Sequence, residues 1–105
     1  MKQVIYTLTC ADEPEAQKIT NAVLAAKCAA CVKRAPVQSS YWWEGKIEEA
    51  REVLVIIEST DEAYERLNQV IAQHHSYEEY VLNQVIVSKS NPGVFEWVAE
   101  YSHGD

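Results

Sequence analysis

The chain has 105 residues, 48% of them hydrophobic and 24% charged, a balance that fits one soluble globular domain and makes a second one unexpected. Folding at this size buries about two thirds of the surface the unfolded chain exposes, enough for a core without disulfides or a structural metal. Nine Lys and Arg against sixteen Asp and Glu give a formal charge of −7, the wrong sign for a protein that grips a phosphate backbone, so nucleic acid is not an expected partner.

Three Pro and three Gly are too few for a linker-rich or disordered chain. No apolar run approaches the roughly 20 residues of a membrane span, and Met1-Lys2-Gln3 leads straight into a strand-like segment rather than a signal peptide. Membrane insertion is therefore not expected, and a cytoplasmic location is. Three cysteines, an odd number, suit reduced thiols better than a disulfide framework.

Residues 3–9 are rich in β-formers, with Val4, Tyr6 and Leu8 on one face, and read as the first strand. Asp12 caps a helix whose first turn holds Glu13, Pro14 and Glu15, residues suited to a helix start. Its buried stripe is Ala16, Ile19, Val23, Ala26 and Ala30. After Pro36, residues 37–43 form an extended aromatic strand, Glu44-Gly45-Lys46 a turn, and residues 47–58 the returning strand of a hairpin. Ser59 with Glu62 has the spacing of a capping box, followed by a second helix with Ala63, Leu67, Val70, Ile71 and His74 on one face and an end near His75-Ser76. Residues 81–88 make a fourth strand. Asn91-Pro92 opens a short last helix with Val94, Trp97, Val98 and Tyr101 turned inward.

The order β-α-β-β-α-β-α predicts an α+β, ferredoxin-like sandwich. It is a four-stranded antiparallel sheet with both main helices on one face and an extra C-terminal helix. A helix of about 14 residues spans about 21 Å, whereas residues 47–58 span about 40 Å. The hairpin therefore overhangs its helices. Its tip carries Tyr41, Trp42 and Trp43, rings that are expected to pack on a neighbouring subunit rather than stand in water.

Cys28-x-x-Cys31 has the spacing of a thiolate pair, but it lies in an Ala-rich stretch at the end of the first helix, where free Cys serves as a small buried apolar residue. His74 and His75 diverge by about 100° on a helix, so both cannot face one ion unless the helix ends between them. Glu44, Glu48, Glu49, Glu52 and Glu58 read as a solvated acidic face of the hairpin, with Lys46 and Arg51 as cross-strand partners. No G-x-S-x-G, H-E-x-x-H or phosphate loop is present, and no enzymatic activity is expected.

The run Lys27–Val32, KCAACV, followed by SSYWWEGKIEEAREV at 39–53 and HHSY at 74–77, resembles the CutA family of divalent-cation tolerance proteins over essentially the whole chain. The resemblance implies a homotrimer built through long hairpins, an architecture similar to the PII signalling proteins, and a link to copper and other divalent metals, none of them obligatory cofactors. A copper site proposed in the family maps onto Thr9, His74 and Val81, of which only His74 can ligate. The family's P-E pair is replaced here by Tyr80-Val81. Cys10, His75, Glu78 and Glu79 are the substitute ligands nearby, although neighbouring strand residues face opposite ways, which sets Cys10 apart from position 9.

The first expectation is a non-enzymatic trimer for metal tolerance that binds copper through His74 and its neighbours. Two others stand beside it. One is a PII-like sensor taking a small anionic ligand between subunits, with Lys27, Lys33 and Arg34 as contacts. The other is a structural trimeric platform that anchors a partner protein.

Overall fold

Strict alternation builds the central strand. In β1, Gln3–Cys10, the side chains of Val4, Tyr6, Leu8 and Cys10 are all buried, and the residues between them face the other side of the sheet. The computed structural model, which describes residues 1–104, places this strand inside an antiparallel four-stranded sheet of order β2-β3-β1-β4. β2 is Cys31–Trp43, β3 is Lys46–Thr60 and β4 is Asn83–Ile86. The two strands that follow helices are each separated from their predecessor by one intervening strand, the split β-α-β arrangement expected from the element order.

The first helix, α1 (Glu13–Ala25), starts as its sequence dictates, with the Asp12 carboxylate accepting from the Glu15 N–H. It ends earlier than expected. The N–H of Cys28 bonds to the carbonyl of Val23 and that of Lys27 to the carbonyl of Leu24, the paired closure that terminates helices. Lys27 takes the left-handed conformation, φ 53°, that glycine fills more cheaply. Ala30 and the two cysteines therefore lie beyond α1, not within it. Cys28 is buried in the turn and Cys31 opens β2.

The hairpin is longer than its sequence suggested. β2 runs straight through Pro36, tolerated because β2 is the edge of the sheet and one missing donor there breaks no central ladder. Glu44 and Gly45 both have positive φ, 49° and 79°, the backbone of the two-residue turn that matches strand twist. The tip projects past α1 and α2, and the protomer measures 44 × 27 × 21 Å. Trp42 is 72% exposed and its cross-strand partner Ile47 64%. Tyr41 and Trp43, on the opposite face by register, are also exposed.

Ser59 does not cap a helix. It is the penultimate residue of β3, buried, with its hydroxyl donating to the carbonyl of Cys28. A 3-10 turn at Asp61–Ala63 then leads into α2 (Tyr64–His74), which has no side-chain N-cap. Leu67 and Ile71 of α2 join Ala16, Ile19 and Val23 of α1 against Val4, Tyr6, Leu8, Val55 and Ile57 in one core. Each such aliphatic side chain removed from water contributes about 1.5–3 kcal/mol. β4 is four residues rather than eight. The last helix, α3 (Val94–Glu100), buries only Val98, while Trp97 and Tyr101, expected to face inward, remain 43% and 42% exposed.

Candidate metal centre

The end of β1 and the end of α2 meet where Cys10, Glu15 and His75 bring a thiol, a carboxylate and an imidazole within 4.8 Å of one another. Each arrives there for a local reason. Cys10 is the last core-facing residue of β1. Glu15 sits in the first turn of α1, three residues after its cap. His75 is the residue at which α2 stops and the chain turns extended, φ −79° and ψ 135°, so its ring swings away from the direction His74 takes.

These groups are wired tightly. The Glu15 carboxylate accepts from the Ala11 N–H at 2.8 Å and from the Ser76 N–H at 2.6 Å. It thereby ties the start of α1 to the loop after α2. His75 accepts at Nδ1 from the Tyr77 N–H, 3.0 Å, and donates from Nε2 to the Thr9 carbonyl, 2.9 Å. That pattern selects the neutral tautomer with hydrogen on Nε2. Tyr80 stacks on the imidazole at 4.9 Å, and the ring of Tyr77 lies 5.0 Å away. The His75 side chain is wholly buried and that of Glu15 only 9% exposed.

Electrostatics follow from this packing. Burial raises Glu15, but hydrogen bonds from Ser76 and Ala11 outweigh it, and its pKa lies below the ordinary 4.5. Burial, with the carboxylates of Glu15, Asp12, Glu52 and Glu13 adding to it, pushes Cys10 up to about 12. At neutral pH Cys10 is therefore a thiol. A metal ion that took it as a ligand would first have to displace that proton.

The donor set suits a borderline-soft divalent ion such as copper or zinc. Imidazole, thiolate and carboxylate bond such ions at about 2.0–2.3 Å. The arrangement fits a metal chemically, yet Glu15 and His75 already hold hydrogen-bond partners and Cys10 keeps its proton. Ligation would exchange the Tyr77 N–H bond and the Cys10 proton for the ion.

Of the ligands expected from sequence, Cys10 and His75 belong to this group and His74, Glu78 and Glu79 do not. His74 ends α2, half-buried. Glu78 and Glu79 are exposed on the following loop, along the wall of an open cleft. Thr9 contributes its backbone carbonyl to His75, and Val81 is 67% exposed. Glu15 was read only as a helix-start acid. The signal that would have found it is the five-residue step from Cys10 across a capping Asp12, which folds the first turn of α1 back over the strand end.

The three basic residues proposed for an anion do not converge. Lys33 and Arg34 are successive residues of an edge strand and face opposite ways. Lys33 pairs with Glu58, and Arg34 pairs with Glu13 and also donates to Gln17. Lys27 stands apart at the end of α1.

Residues 4–101 match the family model of the CutA1 divalent ion tolerance protein. A divalent-cation tolerance protein CutA from Thermococcus kodakarensis is 31% identical over 104 residues, covering 99% of this chain and all of that one. Protein CutA of Mus musculus is 36% identical over 92 residues, 87% of this chain and 52% of its own length. A solved structure from Archaeoglobus fulgidus, described as a periplasmic divalent cation tolerance protein CutA, superposes with a TM-score of 0.92 at 28% identity, over 96% of this chain and 99% of that one.

Proposed function

Because the chain belongs to the CutA divalent-cation tolerance family, we propose that it works in metal tolerance as a non-enzymatic cytoplasmic homotrimer that holds a divalent ion, copper foremost, weakly at Cys10, Glu15 and His75. The observation that carries this reading is the convergence of those three donors within 4.8 Å. Among the described residues no other group of three His, Cys, Asp or Glu converges so closely. Weak binding follows from the proton on Cys10 and the hydrogen bond at Nδ1 of His75, both of which ligation displaces. With one thiol proton released, affinity rises about tenfold per pH unit around neutrality. The exposed Tyr41, Trp42, Trp43 and Ile47 support assembly through the hairpin. The three unpaired thiols suit a reducing compartment.

Titration calorimetry with Cu(II) and Zn(II) tests the site. Cys10→Ser and His75→Gln lower affinity by about tenfold or more, as loss of a ligand does, whereas His74→Ala and Cys28→Ser leave it unchanged. Equal losses in His74→Ala and His75→Gln would overturn the assignment.

A further inference from the structure

The loop that leaves α2 touches the metal centre at one end of a residue and the hairpin at the other. At three successive positions its polar groups reach three different partners. His75 offers Nδ1 to the centre, the Ser76 N–H bonds to Glu15 at 2.6 Å, and the Tyr77 N–H bonds back to Nδ1 of His75 at 3.0 Å. The Tyr77 hydroxyl then donates to a Glu52 oxygen at 2.9 Å. Glu52 lies in β3, and by register it shares its face of the ribbon with Tyr41 and Trp43, the rings assigned above to assembly. Tyr77 therefore joins the centre to the hairpin through its own backbone and side chain.

The chemistry at Nδ1 sets these bonds against an ion. A neutral imidazole has one ring nitrogen that donates and one that accepts. With hydrogen on Nε2 for the Thr9 carbonyl, the accepting lone pair is the one at Nδ1. It serves the Tyr77 N–H or a metal ion, and not both. Tyr77 must move for the ion to bond, and its other anchor, the hydroxyl on Glu52, resists that movement. The arrangement able to take the ion is thus a minority state of the ion-free protein, and apparent affinity is reduced by the fraction of protein in that state.

We propose that Tyr77 is a positioning residue that sets the metal affinity of the centre: its hydroxyl, bonded to Glu52, holds the loop closed over Nδ1 of His75, and the arriving ion releases the loop from the hairpin. This rests on the metal reading of Cys10, Glu15 and His75. Because linkage is reciprocal, whatever draws Glu52 away from Tyr77 tightens ion binding, and the bound ion frees Glu52 on the face that carries Tyr41 and Trp43.

Zn(II), which is diamagnetic, is the probe, added to the assembled full chain. Tyr77→Phe keeps the ring and the backbone N–H, and titration calorimetry gives it a zinc affinity about three- to tenfold above native, the factor one hydrogen bond supplies. A residue needed only for packing would lower affinity or leave it unchanged. Glu52→Ala raises affinity by a similar factor, and Tyr77→Phe adds nothing in that background, since the two side chains act as one tether. Amide hydrogen exchange followed by NMR is the second readout, and zinc speeds exchange of the Tyr77 N–H in the native protein. Three results would each overturn the proposal and leave the metal centre standing: unchanged or weaker zinc binding in Tyr77→Phe, additive effects in the double variant, or a Tyr77 amide as protected with zinc as without it. Zinc binding that Cys10→Ser does not weaken would remove the centre itself and the proposal with it.

Discussion

Replacing Trp42 by Ala removes the most exposed large side chain on the hairpin tip. A Trp side chain offers about 250 Å², and 72% of Trp42 is open to water in the protomer, leaving about 180 Å² for a sister chain to cover. At about 25 cal/mol per Å² that surface is worth about 4.5 kcal/mol. Imperfect covering and ordering of the ribbon bring the expected loss to about 2–4 kcal/mol per subunit, the range of an interface hot spot. Subunit affinity then falls by about 30- to 1,000-fold. Light scattering across a dilution series reads this directly. The native protein holds a mass of three times 11.9 kDa at micromolar concentrations, and Trp42→Ala dissociates there. A native mass of 11.9 kDa, or a variant that resists dilution as well as the native protein, would refute the reasoning that the overhang exists to be covered.

Three further outcomes are expected. Glu15 has a depressed pKa in the folded chain, so its carboxylate contributes stability that is complete above its unfolded value near 4.5 and is lost as pH falls through the folded value. Glu15→Gln removes about 1.5–3 kcal/mol at pH 7 and flattens the acid limb of a urea-denaturation series at fixed protein concentration; a variant with the native acid limb would contradict this. Lys27→Gly relieves a left-handed lysine that closes α1 and raises stability by about 0.5–1 kcal/mol, read as a higher urea midpoint. Iodoacetamide at pH 8 labels Cys31 in the native protein but not Cys10 or Cys28, both buried with raised pKa values; peptide mass spectrometry showing native labelling of Cys10 would contradict the burial of the site.

Much of the frame is legible in the sequence because it rests on period. The alternation of β1, the stripe of Ala16, Ile19 and Val23, the aromatic hairpin and the overhang all follow from spacing and length. The misreadings come from residues whose local signal was overruled by a neighbour. Pro36 looked like a strand boundary, but an edge strand tolerates it. Ser59 and Glu62 looked like a capping box, but Ser59 completes a strand and its hydroxyl satisfies the carbonyl of Cys28. Trp97 and Tyr101 fitted an inward stripe, yet a helix of seven residues buries little more than Val98.

The candidate site was half legible. Cys10 and His75 were visible as donors, but which of His74 and His75 turns inward depends on the residue at which α2 stops, and no side-chain signal marks that residue. Glu15 was invisible as a site residue because its role as a helix-start acid explained it fully. Only the tertiary fold lets one carboxylate serve the first turn of α1 and the backbone of Ser76 together.

Anomalous diffraction from copper-soaked crystals tests the central claim most directly, because it reports the ion and the assembly at once. The account predicts one copper per subunit among Cys10 Sγ, a Glu15 oxygen and Nδ1 of His75, repeated about a threefold axis with Trp42 covered by a sister chain. Copper bound at His74 with Glu78 or Glu79, or subunits with bare hairpin tips, would contradict it.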